Sequence, residues 1–151
     1  MSDRIALNER KYGPVIAEIA GTDFNPQTNI NFARVIDEEF VGGVLFSNYT
    51  GESIGVHTGA VTPFWLNRDM LFVTFDYPFN QLGVKRIFGQ VAETNFHAIR
   101  FNQKLGFKTV ARVEGVYPHN VACLVMRIER HECRFLNIKP RTLDPSPRSV
   151  H

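Results

Sequence analysis

Cysteine is scarce in this chain. Of 151 residues only Cys123 and Cys133 are cysteines, with no Cys-x-x-Cys pair and no His/Cys spacing suited to a metal. That argues against a structural zinc site, so no metal is expected. Two separate thiols suit reduced cysteines in a cytoplasmic protein. An excess of one charge is also missing, because 17 basic residues face 15 acidic ones for a net charge of +2. Nucleic-acid surfaces are usually far more basic, so a nucleic-acid partner is not expected. No apolar run is long enough to span a bilayer, and Met1-Ser2-Asp3-Arg4 carries no apolar signal stretch, so no membrane partner is expected. There are no internal repeats.

What the chain does have is enough apolar material for one domain with a core, at 44% hydrophobic residues. Ile5 to Leu7 reads as a short first strand. Pro14 suits the first position of a short helix through Ile19, closed by Gly21. Phe32 to Glu38, Val41 to Tyr49 and Ser53 to Val61 read as strands. Thr62-Pro63 predicts a helix start, threonine as cap and proline next, with Trp65, Leu71, Phe72, Phe75 and Phe79 on its apolar face. Pro78 is expected to kink the last turn of that helix. Lys108 to Gly115 and Val121 to Glu129 predict a hairpin. From Arg130 onward Pro140, Pro145 and Pro147 sit among scattered charges, which predicts an extended or disordered tail over 131–151 behind a domain of 1–130. The fold class is α+β, with a mixed sheet.

The most informative stretch is residues 82–107. Arg86 to Ala92 reads as a strand, and Phe96 to Leu105 as a helix with Asn95 at its N-cap. Ala98, Phe101 and Leu105 fall on one helix face, and Gly106 stands where a positive φ ends the helix. Asn95, Ala98 and Lys104-Leu105-Gly106-Phe107 in this register resemble the carboxy-terminal half of the GNAT superfamily of N-acetyltransferases. Phe79-Asn80-Gln81-Leu82-Gly83-Val84-Lys85-Arg86-Ile87 is similar to a signature of its ribosomal-protein N-terminal acetyltransferase branch. Small, compact members occur among bacteriophage proteins, and this chain has that look, which would place it in the host cytoplasm.

The resemblance implies a GNAT fold: a mostly antiparallel central sheet of about six to seven strands flanked by helices. It implies acetyl-CoA as co-substrate and a primary amine, on a protein or a small molecule, as acceptor, in a monomer or homodimer. The alternative is a catalytically inactive GNAT-like binding or assembly protein of a bacteriophage. The cofactor would lie between the strand ending near Ala60 and the strand ending near Glu93, against Phe101 and Asn95. Asn95 would contact the pantetheine arm, or act only as an N-cap. The family's glycine-rich pyrophosphate turn is missing from Gly59-Ala60-Val61-Thr62-Pro63-Phe64-Trp65. The amides of a helix starting at Thr62, with Arg68, would replace it; otherwise Arg68 is simply solvated.

Asn102 stands where the family often has a tyrosine acid, and Gln90 where some relatives have a glutamate base. Neither titrates. That leaves His57 as the base, acting through a water, or as a structural histidine. Glu93 is expected to cap the region of the helix. Tyr117 and His119, in the last hairpin, either border the acceptor or form a wet hairpin tip.

Overall fold

The computed structural model describes residues 2–141. One seven-stranded sheet runs through it, built from β1 (Asp3–Leu7), β2 (Ile30–Ile36), β3 (Glu39–Ser47), β4 (Ser53–Ala60), β5 (Arg86–Ala92), β6 (Lys108–Val113) and β7 (Cys123–Glu129). The order across the sheet is β1-β2-β3-β4-β5-β7-β6. Every neighbouring pair is antiparallel except β4 and β5.

Side chains alternate between the two faces of a strand, and the packing follows that period. Ala33, Val35 and Leu45 meet Ile16 and Ala17 of α1 (Gly13–Ala20) on one face. Phe32, Val44, Phe46 and Ile54 point the other way, into the larger core under α2 (Arg68–Asp76) and α3 (Phe96–Leu105). Tyr77 closes an aromatic cluster there, with its ring 5.3 Å from Phe32 and 5.4 Å from Phe46.

Strand β5 and helix α3 have the bounds read from the sequence. Asn95 accepts the Ala98 N–H at 3.2 Å and Gly106 has φ 110°, so the N-cap and the glycine stop are both present. Helix α2 differs. It begins at Arg68, not at Thr62, and Asn67 is its cap, accepting the Met70 N–H at 2.9 Å. Thr62 instead closes a local turn by accepting the Phe64 N–H. Trp65 is buried against Gly42, where an added Cβ would come within 2.5 Å of the indole's own Cβ. That anchorage leaves the chain no room to coil before Asn67. At the far end Pro78 sits in a wide turn over Tyr77–Gln81, marked by the Leu82 N–H donating to the Tyr77 carbonyl five residues back.

The stretch from Phe79 to Ile87 links helix to strand. Phe79, Val84 and Ile87 are buried, and Gly83 takes φ 73° in the turn between them. Beyond Arg130 the chain packs where a tail is expected. Cys133 is buried, Phe135 stacks on Phe75 at 5.1 Å, and Leu136 and Ile138 join the same core. Positions 142–151 lie outside the described residues. Both cysteines are free and buried. Among the described residues no helix is long and apolar enough to cross a membrane.

Removing the Phe135 ring should therefore cost stability. Phe135→Ala is expected to lower it by about 2 kcal/mol, less than a fully buried phenylalanine costs. A urea titration should show a lower midpoint at unchanged slope.

Candidate functional site

Strands β4 and β5 pair at only three positions, Ser53 with Arg86, Ile54 with Ile87 and Gly55 with Phe88. Beyond them the strands part, since β4 continues along β3 to Ala60 and β5 along β7 to Ala92. A cleft of about 850 Å³ opens between them. The Val61 N–H donates to the Val41 carbonyl, which fixes the pairs that exchange bonds on the β3 side. Counting back by twos, Thr58 and Ala60 turn their own N–H and C=O toward the parted side. Backbone donors thus face the cleft in the middle of a sheet.

The walls differ by face. Val56 and Ala60 belong to the core under α2 and α3, and the cleft wall there also carries Trp65, Phe75, Phe101 and Leu105. The Trp65 and Phe101 rings lie 6.1 Å apart. Thr74, on α2, is buried at 7% exposure in this wall, and its hydroxyl has no hydrogen-bond partner. Gly59 sits on the opposite face, against Ile16 and Ile19 of α1. His57, two residues before it, shares that face. The His57 Nε2 lies 3.3 Å from the Ser47 hydroxyl, and burial holds its pKa below the usual histidine value. Tyr117 reaches the cleft from the β6–β7 loop, and burial with the neighbouring Cys123 thiol pushes its pKa up.

The cleft thus brings together His57, Ala60, Thr62, Asn95, Phe101 and Tyr117. It does not include Arg68 or His119. The Arg68 guanidinium donates to the Lys139 carbonyl, and Asp69 accepts the Arg141 N–H at 2.6 Å, so residues 139–141 sit over the start of α2. The start of α2 thus meets the chain's own backbone and lies outside the cleft, which Thr62 lines. His119 is exposed at φ 63° in the hairpin loop. Glu93 does not cap α3. It accepts the Ala122 N–H at 2.5 Å and binds Arg112, which ties the helix approach to the last hairpin and lowers its pKa. Asn102 donates to the Met126 sulfur at 3.6 Å, and Gln90 lines the cleft.

Sequence reasoning missed Thr58, Thr74 and three basic residues of α3, namely His97, Arg100 and Lys104, which all line the cleft. The basic residues were legible in principle, since they recur three and four residues apart beside the apolar face of α3. Thr58 and Thr74 left no such signal. No aspartate or glutamate lines the cleft among the described residues. Among the described residues, no group of three or more His, Cys, Asp and Glu is placed to hold a metal.

The lowered His57 pKa sets a sign for stability. Between the folded and unfolded pKa values the unfolded chain binds more protons, so acid favours unfolding. Stability should fall as pH drops from 6.5 toward 5 by this route, and His57→Gln should remove that part of the slope. Urea midpoints of both proteins at pH 7.5 and pH 5 check this.

No protein-family model and no curated protein sequence matches the chain. Solved structures do. A chimera of the spermidine N-acetyltransferase SpeG from Vibrio cholerae and hSSAT aligns over 91% of this chain and 100% of its own, at TM-score 0.68 and 16% identity. A protein assigned to the GNAT family from Desulfovibrio desulfuricans aligns over 85% of this chain and 99% of its own, at TM-score 0.65 and 12% identity. The Campylobacter jejuni N-acetyltransferase PseH, solved with acetyl coenzyme A, aligns over 68% of this chain and 69% of its own, at TM-score 0.52 and 18% identity. The seven-stranded sheet with its parted β4 and β5 is the fold of the GNAT acetyltransferases.

Proposed function

We propose that the chain is an acyl-CoA-dependent N-acetyltransferase that moves an acetyl group directly from acetyl-CoA to a primary amine. One observation carries the reading: β4 and β5 pair three times and then part around an apolar cleft lined by backbone donors. A narrow apolar wall suits a pantetheine arm, and the unpartnered Thr74 hydroxyl suits one of its amides. Acetyl-CoA bound there would supply the activated acyl group. The Thr58 and Ala60 N–H groups are oriented to stabilise the negative charge that develops on the acyl oxygen. His57 approaches from the α1 face and is neutral near pH 7, so it can take the proton of the incoming ammonium through a water. The thiolate of coenzyme A is acidic enough to leave without a side-chain acid, which Asn102 could not provide.

The acceptor is an amine without further positive charges. Among the described residues the cleft walls carry Arg100 and Lys104 and no carboxylate, so a polyamine would meet repulsion there. A protein N-terminus or a small monoamine fits better, and the two free, buried cysteines support a cytoplasmic setting. A second reading is a binding protein without activity. It is favoured by the covered start of α2, where the family's phosphate turn would lead.

Calorimetry with acetyl-CoA separates the two, because a binding protein without activity need show no heat at millimolar ligand. Given binding, thiol release in the presence of an amine panel should show turnover of monoamines or peptide N-termini and far less of spermidine. Efficient turnover of spermidine would refute the acceptor assignment. A further expectation concerns His57→Gln. It should lower the rate at neutral pH by about 10²-fold and shift the pH–rate profile toward that of the acceptor's own titration. A variant within twofold of the parent at every pH would remove His57 from the mechanism.

A further inference from the structure

We propose that the phosphates of the cofactor are held by a basic stripe on α3, formed by the cations Arg100 and Lys104 with the His97 imidazole as a hydrogen-bonding partner, and not by the loop and helix start that follow β4. The inference rests on the acetyl-CoA reading above and names where its charged end binds. Three observations carry it.

The region after β4 has little left to offer an anion. Pro63 has no N–H, the Val61 N–H donates to Val41, and the Phe64 N–H donates to Thr62. The start of α2 carries the Asp69 carboxylate in its first turn, already bonded to the Arg141 N–H. A phosphate brought there would face a buried negative charge, and the cleft lining stops at Trp65, short of Arg68.

The side of the cleft formed by α3 has the opposite character. His97, Arg100 and Lys104 line it, and no acidic residue stands in the first turn of the helix. None of the three side chains has a hydrogen bond or ion pair among the described residues, although Arg4, Arg34, Arg86 and Arg112 all hold carboxylates. The two unpaired cations, Arg100 and Lys104, thus sit together with His97 on one face. At 1.5 Å per residue the stripe is about 10 Å long, enough to meet two separated phosphate groups. Arg100 and Lys104 supply the charge, and the positive end of the α3 dipole adds to it near His97.

The third observation is the direction of the apolar wall. Phe101 and Leu105 of the same helix line the cleft beside the stripe. An arm lying along Phe101 therefore delivers its charged end to the adjoining cations without leaving the helix.

The test compares coenzyme A with pantetheine, which lacks every phosphate, by calorimetry on the full chain. The parent protein should bind coenzyme A more tightly than pantetheine, with an affinity that falls as salt rises. The double variant Arg100→Ala with Lys104→Ala should weaken coenzyme A by tenfold or more and leave pantetheine unchanged. Both residues are exposed, so folding should survive, and circular dichroism checks it. Arg100→Glu should weaken coenzyme A further, while Arg68→Ala should leave both ligands unchanged. Equal effects on both ligands, or none, would overturn the stripe, as would loss of coenzyme A binding on Arg68→Ala. A parent that binds pantetheine as tightly as coenzyme A also overturns the stripe and leaves the acetyltransferase reading standing. A parent that binds neither overturns both.

Discussion

The structure depends on one separation. Strand β4 is committed to β3 through six pairs and β5 to β7 through seven, while the two hold each other through three. Each strand therefore leaves its parallel neighbour without fraying. Gly59 lets the backbone of α1 press on β4, because a Cβ there would come within 2.7 Å of the Ile16 carbonyl. Trp65 fixes the chain leaving β4 onto Gly42 of β3. The gap is thus held from both sides by packing that does not cross it. Parallel strands normally satisfy their polar backbone against one another, and here a short stretch is left open to meet something else.

Charge is distributed to match. Arg86 with Glu129, Arg34 with Asp3 and Arg112 with Glu93 form pairs at the sheet margins. The most exposed of them, Arg112 with Glu93, contributes little to stability. None of these paired residues lines the cleft, whereas the unpaired Arg100 and Lys104 of α3 do. His57 is the counterpoint, a titratable group that burial keeps neutral. An amine acceptor and an anionic co-substrate would then approach from faces of different electrostatic character.

Much of the frame was legible because it is written in local chemistry. Asn95 and Gly106 bracket α3 with a side-chain acceptor and a positive φ, and both signals act within a few residues. Gly21 closes α1 at φ 75° in the same way. The start of α2 was misread because Thr62-Pro63 carries a cap signal that a distant contact overrules. The seat of Trp65 on Gly42 is 23 residues away in sequence, and no local rule contains it. The chain after Arg130 was misread for a related reason. Its prolines suggest extension, but Arg130–Glu132 form a short helical turn and Phe135 and Ile138 find partners that only the folded sheet and helices bring near. Of the cleft-lining residues, Asn95, Phe101 and Tyr117 follow from the likeness to a known pattern and His57 from elimination and its place on β4, whereas Thr74 is a mid-helix threonine like any other until the cleft stands beside it.

The cover over α2 has a consequence for the order in which the molecule can be assembled. Arg68 and Asp69 are held by residues 71 and 72 positions further along the chain. During synthesis the sheet through β5 can form while that helix start is still open to water. Those two contacts can both form only once position 141 has emerged from the ribosome, well after β5 and α3. The last step of folding at this corner therefore waits on the most distant of its partners in the chain.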